Sequence, residues 1–163
     1  MTFDGVALHS GLPVSLSVHP APANHGIVFR RTDLTPSALI AVRPEGLIEA
    51  NLCTKLGNAA GITVSTIEHL MAALAGCGIH NALIDIDGAE VPILDGSARP
   101  FVAAFVQVGM QEQEAPLRAI RVLRAIEVRM GEAWARLEPA EVLSIAFEID
   151  FPDAAIGRQQ LEL

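Results

Sequence analysis

A carboxylate and an imidazole stand side by side at Glu68-His69, within the run Ser65-Thr66-Ile67-Glu68-His69-Leu70-Met71-Ala72-Ala73-Leu74-Ala75-Gly76-Cys77-Gly78. Neighbouring residues of a helix project about 100° apart. On a helix, the imidazole could therefore ligate a metal while the carboxylate reaches a water on that metal without ligating it. A second role for Glu68 needs no chemistry. Ser65-x-x-Glu68 has the spacing of a capping box, in which the serine accepts from the third helical N–H and the glutamate folds back onto the serine N–H. The zinc helix His-Glu-x-x-His is excluded, because Ala73 and Ser65 occupy the places one turn from His69. A metal held by His69 must collect its other ligands elsewhere.

The elements that carry this pair follow from the spacing of apolar residues. Ile67, Leu70, Met71 and Leu74 recur at i, i+3, i+4, i+7, which predicts a helix with one buried stripe, and Gly76 and Gly78 supply its stop. His69 lies off the stripe among the small residues Ala72, Ala73 and Gly76, so another element or a ligand has room to approach it. Upstream, Gly5 to Leu8 and the alternating Val14, Leu16 and Val18 predict a hairpin, and Ile27 to Arg31 a further strand. Ala38 to Val42, Asn51 to Leu56 and Gly61 to Val64 read as strands, the last feeding into the helix. Asn81 to Ile86 is a strand closed by the Asp87-Gly88 turn. Ser97 is placed to N-cap a second helix that buries Phe101, Phe105 and Val108. Residues 111–117 are polar and acidic and read as a linker. Beyond them Ile120 to Val122, Ile126 to Met130, Trp134 to Leu137 and Leu143 to Ile149 predict an antiparallel meander with no helix to cover it and no closing element after Ala155. The fold class expected is therefore α+β: a two-layer sandwich over 1–110, a linker at 111–117, and an incomplete sheet over 118–163.

Composition narrows the function. Half of the 163 residues are apolar and the net charge is -8. A nucleic-acid binder needs a basic stripe to displace counterions, and the basic residues here are scattered. No apolar run nears the ~20 residues that span a bilayer, and the start lacks a signal-peptide pattern, so a cytoplasmic location is expected. Cys53 and Cys77 lack the number and spacing of a disulfide framework and read as reduced thiols.

Five segments in register carry a resemblance. They are Gly5-Val6-Ala7-Leu8-His9-Ser10-Gly11; Pro20-Ala21-Pro22-Ala23-Asn24 with Phe29-Arg30-Arg31-Thr32-Asp33; Leu52-Cys53-Thr54; Ser65-Thr66-Ile67-Glu68-His69-Leu70; and Glu90-Val91-Pro92-Ile93-Leu94-Asp95-Gly96-Ser97-Ala98. Together they resemble the zinc-dependent UDP-3-O-acyl-N-acetylglucosamine deacetylases of lipid A biosynthesis. The resemblance implies two similar domains, each a small sheet with two helices, enclosing a Zn²⁺ site, and this chain matches the first domain and the opening of the second. It implies that His69 is a zinc ligand and that Glu68 is the general base of amide hydrolysis, with acetate released from the UDP-sugar substrate. Leu8, His9, Asn51, Leu52, Cys53 and Thr54 fall on motifs that the family places near substrate, and their plain reading as loop and strand packing stays open beside it. The family takes its remaining ligands from a His-x-x-x-Asp helix in its second domain, and a further histidine there is its general acid. None of His9, His19, His25 or His80 has an Asp four residues on. The chain is therefore expected to be a portion of such an enzyme, inactive alone. The rival expectations are a non-catalytic binding module that keeps Glu68 and His69 by descent, and a plain structural domain in which Glu68 only caps.

Overall fold

Buried and half-buried residues alternate along Ala82–Ile86, with Ala82, Ile84 and Ile86 inside and Leu83 and Asp85 outside, as period-2 geometry requires. That strand is the centre of a sheet whose other members are β1 (Thr2–Val6), β2 (Pro13–Pro20), β3 (Ile27–Arg31) and β4 (Ala38–Ala41). A smaller sheet consists of β5 (Leu47–Ile48), β6 (Lys55–Gly57) and β7 (Thr63–Ser65). Helix α1 (Glu68–Gly76) follows, then β8, the Ala82–Ile86 strand, and α2 (Arg99–Val108). The computed structural model describes residues 1–163.

The larger sheet runs β1-β2-β8-β3-β4, with β8 antiparallel to β2 and parallel to β3. Register sorts its two faces. Phe3, Leu16, Ile86 and Arg31 lie abreast, as do Val18, Ile84, Phe29 and Ile40. On this inner face Leu16, Phe29, Ile40, Ile84 and Ile86 are fully buried, together with Leu70, Ala73 and Leu74 of α1 and Phe101 of α2, and Phe105 is buried but for 5% of its surface. Phe3 meets Phe101 edge-on, ring centroids 4.8 Å apart, and meets Phe105 at 6.2 Å. Each such side chain contributes about 1.5–3 kcal/mol by leaving water. The outer face is polar: Thr2 bonds Ser17 at 2.8 Å, and Arg30 forks onto Asp85 at 2.6 Å, with His19 3.3 Å from the same carboxylate. Arg31, buried at the end of the inner face, is matched by a bidentate Asp33 and by the Thr63 carbonyl at 2.7 Å, which ties β3 to β7.

The chain forms two units, Met1–Ala115 and Pro116–Leu163. Gln113 belongs to the first, bonding the Asn81 side chain and the Ala21 carbonyl. The second unit holds two hairpins: β9 (Ile126–Met130) with β10 (Ala133–Leu137), and β11 (Ala146–Asp150) with β12 (Arg158–Glu162).

An α+β architecture, with the N-terminal hairpin and two helices against one sheet, agrees with the sequence reading. Several local expectations are corrected. The meander is two separate hairpins; Ile120 to Val122 forms no strand, and Arg158–Glu162 closes the second hairpin where no closing element was expected. The strand expected over Asn51 to Leu56 shrinks to Lys55–Gly57, because Leu52 turns into left-handed backbone (φ 59°) and breaks extension. Ala98, one residue past Ser97, is the N-cap of α2, and Ser97 Oγ instead accepts from the Arg99 N–H at 3.2 Å. Val108, in the last turn, faces outward. Of the two glycines at the end of α1, Gly78 (φ 67°) makes the left-handed stop, whereas Gly76 lies inside the helix.

Candidate active site

The path from β7 into α1 is set by three residues. Ser65 ends the strand and is locked on both sides: its N–H donates to the Ala89 carbonyl at 3.0 Å and its own carbonyl accepts from Val91 N–H at 3.1 Å. Thr66 then takes left-handed backbone, φ 55°, which a β-branched residue adopts only under strain. Ile67, buried, precedes the first helical residue, Glu68. The N-cap is therefore Ile67, two residues later than the expected Ser65, and the capping box does not form. Ser65 is committed to the sheet, its Oγ donating to Ala89 at 3.2 Å.

With no cap to make, the Glu68 carboxylate turns to a different loop. Its Oε2 accepts the Thr54 N–H at 3.0 Å, and the Thr54 carbonyl accepts the Ile67 N–H at 3.5 Å. This pair of bonds clasps Thr54 to the helix head. Oε1 of Glu68 makes no hydrogen bond, and the side chain is half-buried. His69, next to it, is also half-buried, with Ala73 buried one turn on. A carboxylate steadied through one oxygen and open at the other, beside an accessible imidazole, is equipped to accept a proton next to an electrophile or a metal.

A second carboxylate organises the opposite side, and the sequence reading gave it no role. Glu90, 5% exposed, accepts from the His9 N–H at 2.9 Å and from the Thr66 hydroxyl at 2.9 Å through Oε1, and from the Ser10 N–H at 3.2 Å through Oε2. Burial raises the Glu90 pKa, but the His9, Thr66 and Ser10 donors outweigh it and hold the group below the usual carboxylate range. The flanking backbone joins the same elements: Ala7 bridges to Pro92, Ile93 N–H bonds the Val6 carbonyl at 3.0 Å, and Ser65 bridges in parallel to Glu90. A charged residue opening the apolar run Val91-Pro92-Ile93 was the available signal.

Of the positions expected to touch substrate, Thr54 is joined directly to Glu68, and His9 shares Glu90 with the residue two before Glu68. Leu8, Asn51 and Leu52 project outward, Leu52 being 92% exposed, and Cys53 is half-buried and free. A catalytic zinc takes three protein ligands. Nowhere in this chain do three His, Cys, Asp or Glu side chains come close enough together to hold a metal ion. His69 supplies one donor, so these residues do not make a zinc site by themselves.

The arrangement defines an α+β domain with Glu68 and His69 adjacent at a helix head, where Glu68 bonds Thr54 and Glu90 bonds His9, Ser10 and Thr66. More particularly, the chain belongs to the LpxC family of UDP-3-O-acyl N-acetylglycosamine deacetylases, whose family model matches residues 1–163. It is 51% identical over 162 residues to the UDP-3-O-acyl-N-acetylglucosamine deacetylase of Phenylobacterium zucineum, covering 99% of this chain and 55% of that protein. The enzymes of the same name from Shewanella baltica and Shewanella oneidensis are 49% and 48% identical over 156 residues, covering 96% of this chain and 51% of each. The chain thus spans about half the length of the curated relatives it matches.

Proposed function

We propose that this chain contributes Glu68 and His69 to a zinc-dependent deacetylase that hydrolyses the N-acetyl group of UDP-3-O-acyl-N-acetylglucosamine and releases acetate, a step of lipid A biosynthesis. The supporting observation is the state of Glu68: one oxygen is held by the Thr54 N–H and the other makes no hydrogen bond, with His69 the next residue of the helix, in a chain about half identical to proteins of that name. Glu68 takes the proton of the attacking water as the water oxygen bonds to the acetyl carbon. The C–N bond then breaks, the amine takes up a proton, and acetate departs. His69 would be this chain's zinc ligand, and the remaining ligands would come from protein outside these 163 residues. The chain would then form a first domain over 1–110 with a linker at 111–117 and the opening of a second domain over 118–163. Two free cysteines support a reducing, cytoplasmic setting. No helix is long and apolar enough to cross a membrane.

The lack of a three-ligand cluster favours a second reading, a non-catalytic module that keeps the pair. One experiment separates the two. Bound zinc and acetate release are measured for the chain alone and for the chain mixed with a separately made C-terminal half of a close relative. The deacetylase reading expects weak zinc binding and no turnover alone, with stoichiometric zinc and turnover in the mixture. A folded mixed complex that held no zinc and released no acetate would leave the binding module.

A further inference from the structure

Two loops come to the head of α1, and each is held there by a carboxylate. Glu68 holds Thr54 and is absorbed by the proposed chemistry; Glu90 holds the β1–β2 loop at His9 and Ser10 and is not. Glu90 is nine-tenths buried, has all its donors within the chain, and links three segments far apart in sequence: the loop at His9 and Ser10, the end of β7 at Ser65 with the strained Thr66, and its own stretch before Val91. A buried carboxylate satisfied by two backbone N–H groups and one hydroxyl fixes its partners tightly, because removing it leaves those donors unpaired away from water.

We propose that Glu90 is a positioning residue: through one carboxylate it sets the spacing between the Leu8-His9 loop and the head of α1, and so fixes where bound substrate sits relative to Glu68. The kinetic consequence rests on the deacetylase reading; the structural one does not. Glu68 itself is positioned from the other side, through Thr54, so loosening the Glu90 clamp displaces the substrate loop more than the base. Loss of Glu90 therefore acts on KM ahead of kcat.

The test replaces Glu90 by Gln, which keeps the shape and gives up one acceptor oxygen. In the 163-residue chain, amide exchange at Ser10, whose acceptor is the oxygen replaced when the other stays with His9 and Thr66, is expected to quicken about tenfold or more, as for a buried donor losing its acceptor, while Leu16 and Ile84 keep their protection. In an active deacetylase containing this chain, Glu90→Gln is expected to raise KM about tenfold with kcat within about threefold and zinc content unchanged. Unaltered exchange at Ser10, or a lowered melting temperature with both kinetic constants unchanged, overturns the proposal. Should Glu90→Gln not fold, Thr66→Val carries the test. It is expected to raise KM, Thr66→Ser to restore it, and equal KM in all three proteins overturns the proposal. A wild-type protein that binds zinc but does not deacetylate defeats the functional reading instead, and amide exchange still decides the clamp.

Discussion

At Glu68 the two roles read from the sequence gave different partners to the same carboxylate, and the structure replaces the capping partner with the Thr54 N–H. Glutamine keeps an oxygen for that bond, so Glu68→Gln should lower the stability of the chain by under about 1 kcal/mol in thermal melts. In the complete enzyme the same substitution should cost about 10²-fold to 10⁴-fold in turnover with zinc retained, since an amide cannot take a proton from water. His69→Ala should remove the zinc, checked by metal content after dialysis. Near-normal turnover of Glu68→Gln would refute its role as base. A second residue-scale expectation concerns acid. Glu90, Asp33 and Asp85 all have pKa values lowered in the folded chain. Their stabilising contribution is complete above the unfolded carboxylate value of about 4 and is lost as pH falls through the folded values. Melting temperature should therefore drop steeply below about pH 4, and Glu90→Gln, less stable at pH 7, should show the shallower fall. Residue type and adjacency marked Glu68 and His69 as candidates beside a capping-box reading, and the roles expected of them came from the family resemblance. Glu90 was not legible, because its partners stand 24, 80 and 81 residues away and nothing local marks them.

Among the elements, those with a clear apolar period were legible and those governed by backbone geometry were not. β2 and β8 alternate cleanly, and α1 buries Leu70 and Leu74 as its stripe required, adding Ala73 while Met71 stays at the rim. The start of α1 was misplaced because Thr66 leaves helical backbone for φ 55°, a choice enforced by pairing with residues 89–91 that no local propensity shows. The strands of the small sheet span two or three residues each, too short to display a period. Where packing is dense, its worth is measurable. Phe101 is fully buried against Phe3, so Phe101→Ala should cost about 3–5 kcal/mol in denaturant unfolding. Val106→Ala, at a side chain 63% exposed on the same helix, should cost under about 0.5 kcal/mol.

On the scale of the whole molecule, stability is unevenly distributed. The first unit has a closed core between sheet and helices, whereas the second has two-stranded hairpins whose large apolar residues, among them Ile126, Val128, Trp134 and Phe147, are exposed. Isolated two-stranded hairpins are marginal in water. Amide exchange should find β9 to β12 at least about a hundredfold less protected than α1; equal protection would mean that the hairpins find cover elsewhere. The order β1-β2-β8-β3-β4 also carries a consequence for the growing chain. The strand at the middle of the sheet is the last of the five to be synthesised, so until residue 86 leaves the ribosome, β1-β2 and β3-β4 can pair only as two separate hairpins, each marginal alone, with no strand to join them. During that interval Leu16 and Phe29 face water and the inner edges of both hairpins are unpaired, a state open to capture by another nascent chain. Synthesis of Ala82–Ile86 pairs both inner edges at once, and α2 completes the cover of the inner face when Phe101 and Phe105 follow.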